Sequence, residues 1–107
     1  MSTFEEYQTL AGSLPASLRN NRDRINLPVR GLLEQSGKIG TLFKTAFASA
    51  RLDLTSTRKD DLKARLADIL WYVAILCRET GLALNDVAAH SLAQVEARRN
   101  ALDPNQR

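Results

Sequence analysis

Few side chains in this sequence have both the type and the placement to do chemistry, and the first of them is Asp68. It lies in the run Lys63 to Gly81, KARLADILWYVAILCRETG, which is apolar around most of its circumference after that residue. Arg65 stands one turn before it and Tyr72 one turn after, at the spacings where helical side chains meet. Two readings fit a single acid there. In one, Arg65 pairs with Asp68 or with Asp61 as a half-exposed salt bridge contributing about 0.2–0.5 kcal/mol. In the other, Asp68 is the remainder of a polar site inside a helical bundle. The other candidates point to structure first. His90 has no Cys or His partner at ligand spacing, so a surface or interface imidazole is expected rather than a metal ligand or base. Cys77 is the one cysteine and lies on the apolar face, which suits a buried thiol better than a nucleophile and excludes an internal disulfide. Trp71 suits a core position as well as a stacking platform. Arg19, Arg22 and Arg24, in the polar stretch Ala16 to Asn26, are placed to contact phosphates, although a solvated connector is the simpler reading.

The elements that must position these residues are all helical. Leu62, Leu66, Ile69, Leu70, Val73, Leu76 and Cys77 recur at spacings of three and four, with Ala67, Ala74 and Ile75 widening the stripe. Thr55, Ser56 or Thr57 should cap this central helix, with Asp60 and Asp61 in its first turn, and Gly81 should end it. A short first helix is marked by Ser2 and Thr3 ahead of Glu5 and Glu6, an apolar face of Phe4, Tyr7, Leu10, Ala11 and Leu14, and a stop at Pro15. A second long helix should begin near Pro28 and run to about Arg51 through Val29, Leu32, Leu33, Ser36, Ile39, Leu42, Phe43, Ala46 and Phe47. Gly31, Gly37 and Gly40 interrupt it, each at a cost of about 1 kcal/mol relative to alanine, which implies tight packing on another helix. Asn85 should cap a last helix with Val87, Ala88, Ser91, Leu92 and Val95 on its inner stripe, followed by a frayed tail over 103–107.

With no strand pattern or repeat, the chain reads as all-α, one domain over residues 1–107 with about four helices. Hydrophobic residues at 44% and charged ones at 25% fit a globular chain rather than disorder. A net charge of +3 and pI near 9.4 are too mild and evenly spread to indicate nucleic-acid binding. The N-terminal MSTFEEYQ has acids where a signal peptide has basic and apolar regions, and the longest uncharged run, Ile69 to Cys77, is about half of what a bilayer needs. A cytoplasmic protein without membrane contact is expected.

GLLEQSGKIG at 31–40, followed after a linker by LADILWYVAILCRETGLALNDVA at 66–88, resembles the MazG family of all-α nucleoside triphosphate pyrophosphohydrolases. The similarity covers roughly residues 3–99, and its most specific piece is the ADILWYVA run with the GLALNDVA turn behind it. The resemblance implies a MazG-like helical bundle assembled as a homo-oligomer, a dimer or tetramer. It also implies a magnesium site built from a Glu-x-x-Glu pair on one helix and a Glu-x-x-Asp pair on the next. Such spacing puts two acids on one face, and facing pairs make an oxygen cage for the ions. Carried onto this chain, those positions are Gln35, Lys38, Arg65 and Asp68. The asparagine and lysine that help hold phosphates in the family fall on Ser91 and Gln94, with Arg98 the basic residue of that stripe.

One amide, two cations and one carboxylate leave these metal positions with a net charge of plus one, where four acids would give minus four. Two unit charges about 4 Å apart at an effective dielectric of about 20 interact by roughly 4 kcal/mol, and a divalent ion doubles that. No metal cofactor is therefore expected. Lys38 and Arg65 should close on Asp68 as an ion-pair core, or Lys38, Arg65 and Arg98 should hold phosphates with Trp71 and Tyr72 stacking on a base. The expected function is that of a MazG relative without hydrolysis, an assembly or metal-free nucleotide-binding protein. Two alternatives stand beside it. One is a magnesium-dependent pyrophosphohydrolase drawing on Glu34, Asp60 and Asp61. The other is a small helical module binding a protein partner or DNA through Arg19 to Arg30.

Overall fold

The computed structural model describes residues 3–11, 20–48 and 54–102, and all regular structure among them is helical. Helix α1 (Phe4–Ala11) opens on a cap in which Thr3 Oγ1 accepts the Glu6 amide at 3.0 Å, with Glu5 and Glu6 in the first turn. Leu14 and Pro15, expected to end it, lie outside the described residues.

Helix α2 (Asn21–Ala46) begins well before Pro28. The stretch read as a connector is helical from Asn21, because Asn20 Oδ1 accepts the Arg22 amide at 2.8 Å and Arg24 locks the first turns to the neighbouring helix. Pro28 lies inside the helix and is among the largest fully buried side chains. An internal proline forfeits one backbone hydrogen bond, and here the burial of the ring acts against that loss. The helix ends at Ala46 with Phe47 as its C-cap, short of the expected Arg51.

Helix α3 (Ser56–Thr80) is capped by Thr55, whose Oγ1 accepts the Arg58 amide at 3.2 Å, and closes on Gly81 at φ 77° with the Leu82 amide reaching back to the Cys77 carbonyl. Starting at Ser56 leaves the first turn without an acid, so Asp60 and Asp61 do not sit there as expected. Helix α4 (Leu84–Leu102) starts one residue before Asn85, which is therefore not its cap. Gln8 of α1 takes that part: its Oε1 accepts the Leu84 amide at 2.9 Å and its Nε2 donates to the Leu82 carbonyl at 2.9 Å.

Helices α2 and α3 run antiparallel along each other, while α1 packs on α3 and α4, and α4 touches α1 and α3. Arg24 with Glu79, Gly31 with Tyr72, and Gln35 with Arg65 mark successive levels of the pair. A hydrophobic core cluster collects Ala74, Cys77 and Leu84, with Tyr7, Ala11 and Val73 packed against it. Tight packing explains one glycine of three. A Cβ on Gly31 would fall 2.4 Å from the Tyr72 ring, whereas Gly37 and Gly40 face open space. The inner stripe expected on α4 is also absent: Ser91, Leu92 and Val95 are exposed, and only Leu84 is buried on that helix. No helix among the described residues is long and apolar enough to cross a membrane.

Candidate functional site

The antiparallel register of α2 and α3 decides which of the singled-out side chains meet. Gln35 is buried, 6% exposed, and its Oε1 accepts a hydrogen bond from Arg65 Nη1 at 3.3 Å. Arg65 Nε lies 3.2 Å from Asp61 Oδ1, an ion-pair distance at an angle too poor for a hydrogen bond, and this nitrogen is shut off from solvent. Lys38 Nζ approaches Glu34 Oε1 at 2.9 Å along the exposed face of α2. The hydrogen bond from Lys38, and then its charge, hold the Glu34 carboxyl below its ordinary value.

Asp68 is exposed. The expectation that Lys38 and Arg65 close on it is corrected, and the reason is local. Each cation finds a carboxylate four residues away on its own helix, Glu34 or Asp61, and pairing there requires no reach across the helical seam. The last fork of Arg65 is spent on Gln35.

Around these pairs the two helices enclose an open cleft of about 650 Å³. Lys38, Thr41, Leu42 and Thr45 line it from α2, and Thr57, Arg58, Asp61 and Arg65 from α3. Thr41, Thr45 and Arg58 escaped the sequence reading, and Thr57 entered it only as a possible cap of α3. The signal was present in the i,i+4 repeat of Thr41 and Thr45 beyond Lys38, but nothing local says which face of α2 meets α3.

Magnesium requires several oxygen ligands. At the four family positions the Gln35 oxygen is already hydrogen-bonded to a guanidinium, two groups are cations, and Asp68 stands apart, so the residues present do not fit the ion. Nor do Glu34, Asp60 and Asp61 converge: Glu34 is held by Lys38, Asp61 by Arg65, and Asp60 is exposed. Among the described residues no group of three or more His, Cys, Asp or Glu is arranged to hold a metal.

The remaining candidates are dispersed. Trp71 Nε1 donates to the Ala11 carbonyl at 2.9 Å, which ties α3 to α1, and its ring lies 5.2 Å from that of Tyr72. Tyr72 in turn covers Gly31, so both aromatics serve helix contacts rather than the cleft. Ser91 lines a separate, mostly apolar groove of about 680 Å³ with Phe4, Leu84, Val87, Leu92 and Val95. Gln94 and Arg98 are exposed on α4, and so is His90. Cys77 is buried, and burial pushes its thiol up, as expected of a structural cysteine. Arg22 and Arg24 belong to α2 rather than to a connector, and Arg24 is engaged with Glu79 at 2.7 Å. Arg19 lies outside the described residues.

Fold and site together define a small all-α protein built on an antiparallel helix pair with a cation-lined cleft at one end. Over 70 residues, 65% of its length, the chain is 30% identical to the Gene 37 protein of Mycobacterium phage L5. The match covers 61% of that protein, so the chain spans about three-fifths of the length of this relative. No family model matches the chain, and no solved structure matches it.

Proposed function

We propose that this chain is a MazG-like protein that has lost metal-dependent nucleotide pyrophosphohydrolysis and acts as an assembly or metal-free nucleotide-binding protein. The observation that carries this reading is the contact of Gln35 with Arg65 across the α2–α3 seam. Two positions where the family would set facing acids do meet, and they meet as an amide and a guanidinium. The fold would thus keep the family's helical pairing while its acidic cage is replaced by groups that repel a divalent cation.

Assembly is supported by what the helices leave uncovered. Leu33, Leu66, Leu92 and Val95 are 71%, 52%, 60% and 43% exposed, and α4 beyond its first turns contacts little of the chain. Helices in proteins owe most of their stability to a packed apolar face, and a second copy of the chain lying in the groove between α1 and α4 would supply one. The test has two arms. Purified protein incubated with a panel of nucleoside triphosphates and magnesium or manganese should release no pyrophosphate, and metal-dependent release would overturn the reading. Light scattering coupled to size exclusion should return a dimer or tetramer, and a monomer would remove the assembly part.

A further inference from the structure

We infer that two copies of this chain pack α2 against α2 in antiparallel, about a two-fold axis at the level of Lys38, through the stripe Val29, Leu33, Ser36, Gly40, Phe43 and Phe47. The inference rests on the assembly reading above and adds to it a second contact, separate from the groove between α1 and α4. One such contact makes a dimer, and the two together make a tetramer.

The six residues follow one another at spacings of four, three, four, three and four, the pattern of a helix–helix seam. Five of them are exposed and Phe43 is half-buried. Leu33 and Phe47 are 71% and 62% exposed, and the Phe43 and Phe47 rings lie 6.0 Å apart. Neither α1 nor α4 contacts α2, so no described helix covers the stripe. The cleft takes Lys38, Thr41 and Thr45 from α2 and Asp61 and Arg65 from α3. On the other side of the same pair, the exposed Leu66 and Leu70 of α3 widen the apolar face beside the stripe. That face is about 27 Å long at 1.5 Å per residue and two helices, about 20 Å, wide, which approaches the ~800 Å² per partner that a stable interface buries. Monomers rarely leave so much contiguous apolar surface in water.

The order of the residues says what covers it. Read from either end, the stripe runs apolar, apolar, small, small, apolar, apolar. Antiparallel pairing about Lys38 sets Val29 of one copy opposite Phe47 of the other, Leu33 opposite Phe43, and Ser36 opposite Gly40. A two-fold contact demands that kind of self-complementarity, because both copies present the same patch. No charged side chain falls in the stripe, so pairing strips no ion of its water. Lys44 flanks it and is exposed, and its long stem lets the ammonium stay hydrated. At the centre, Ser36 and Gly40 let the backbones close towards the short end of the 8–10 Å range of packed helices. An alanine-sized group fits there, whereas a leucine does not.

The full chain and its variants are compared by light scattering coupled to size exclusion. Leu33→Glu combined with Phe47→Glu should halve the wild-type mass, and so should Gly40→Leu by itself. The helical circular dichroism should not change, since Leu33 and Phe47 are mostly exposed and Gly40 borders open space within its own chain. Orientation is read by cross-linking. Val29→Cys combined with Phe47→Cys should give a disulfide-linked dimer under mild oxidation: within one chain these positions are about 27 Å apart, far beyond the ~7 Å that a disulfide spans between Cα atoms. Val29→Cys alone should give none. A monomeric wild type would leave the stripe to a different protein and remove this contact together with the assembly reading. An oligomeric wild type whose mass survives Gly40→Leu or Leu33→Glu/Phe47→Glu overturns this contact alone, and so does a disulfide-linked dimer formed by Val29→Cys by itself.

Discussion

Replacing Gly31 by alanine tests the helix contact on which the whole site depends. In the wild-type packing the missing Cβ would sit 2.4, 2.5 and 2.6 Å from Cζ, Cε2 and Cε1 of Tyr72. Carbon atoms settle at about 3.5–4.0 Å, so the ring edge must retreat by about 1 Å. It is not free to do so, since the Trp71 ring lies 5.2 Å away and is itself pinned to Ala11. Against this strain stands the helical advantage of alanine over glycine, about 1 kcal/mol. Overpacking costs about 1–3 kcal/mol, so Gly31→Ala should destabilise by about 1 kcal/mol. Gly37→Ala and Gly40→Ala, which meet nothing within 4 Å, should instead stabilise by about 0.5–1 kcal/mol each. The opposed signs are the measurement: urea unfolding followed by circular dichroism should show midpoints moving in opposite directions at a constant slope. Tyr72→Ala combined with Gly31→Ala should recover part of the loss and give a coupling energy in a double-mutant cycle. If Gly31→Ala stabilises as its two neighbours do, α2 and α3 do not approach at this level, and the register that joins Gln35 to Arg65 fails with it.

Gln8→Ala removes the side chain that joins α1 to the start of α4, and the two lost hydrogen bonds should cost about 1–3 kcal/mol; amide exchange should accelerate at Leu84 and the residues after it. Glu79 has its carboxyl lowered, first by the hydrogen bond from Arg24 and then by its charge. A depressed acid contributes stability above its unfolded value and loses it as pH falls through the folded one, so the gap in melting temperature between wild type and Glu79→Gln should be full at neutral pH and close as pH drops below the ordinary glutamate range. Gln35→Glu, Lys38→Glu and Arg65→Glu together restore the acids that the MazG resemblance implies. That variant should gain magnesium-dependent thermal stability that the wild type lacks, and an unmoved melting temperature would show that these positions were wrongly matched.

Helical period was enough to find the elements, because Leu62 to Cys77 repeats at the spacing of a buried stripe regardless of what covers it. The ends were harder, and the errors have a common source. Pro28 is a strong local start signal, yet α2 begins at Asn21 because Arg24 reaches Glu79 on another helix and the proline ring is buried. Asn85 is a good local cap, yet Gln8, 76 residues away in sequence, takes the Leu84 amide. Local rules rank the candidates correctly, and a tertiary partner then overrules them. The site shows the opposite balance. Lys38 and Arg65 were expected to reach across to Asp68, but each took the acid one turn away on its own helix, where the helix itself has already fixed the separation. What remained for the cross-helix seam was the longer fork of Arg65 and the one neutral polar group buried opposite it, Gln35. An amide is the group that position tolerates at least cost, since a buried carboxylate there would be desolvated and a buried cation would face Arg65 directly. Gln35→Lys, which sets a second cation against Arg65, should therefore weaken the α2–α3 seam far more than Lys38→Gln, which alters only an exposed pair.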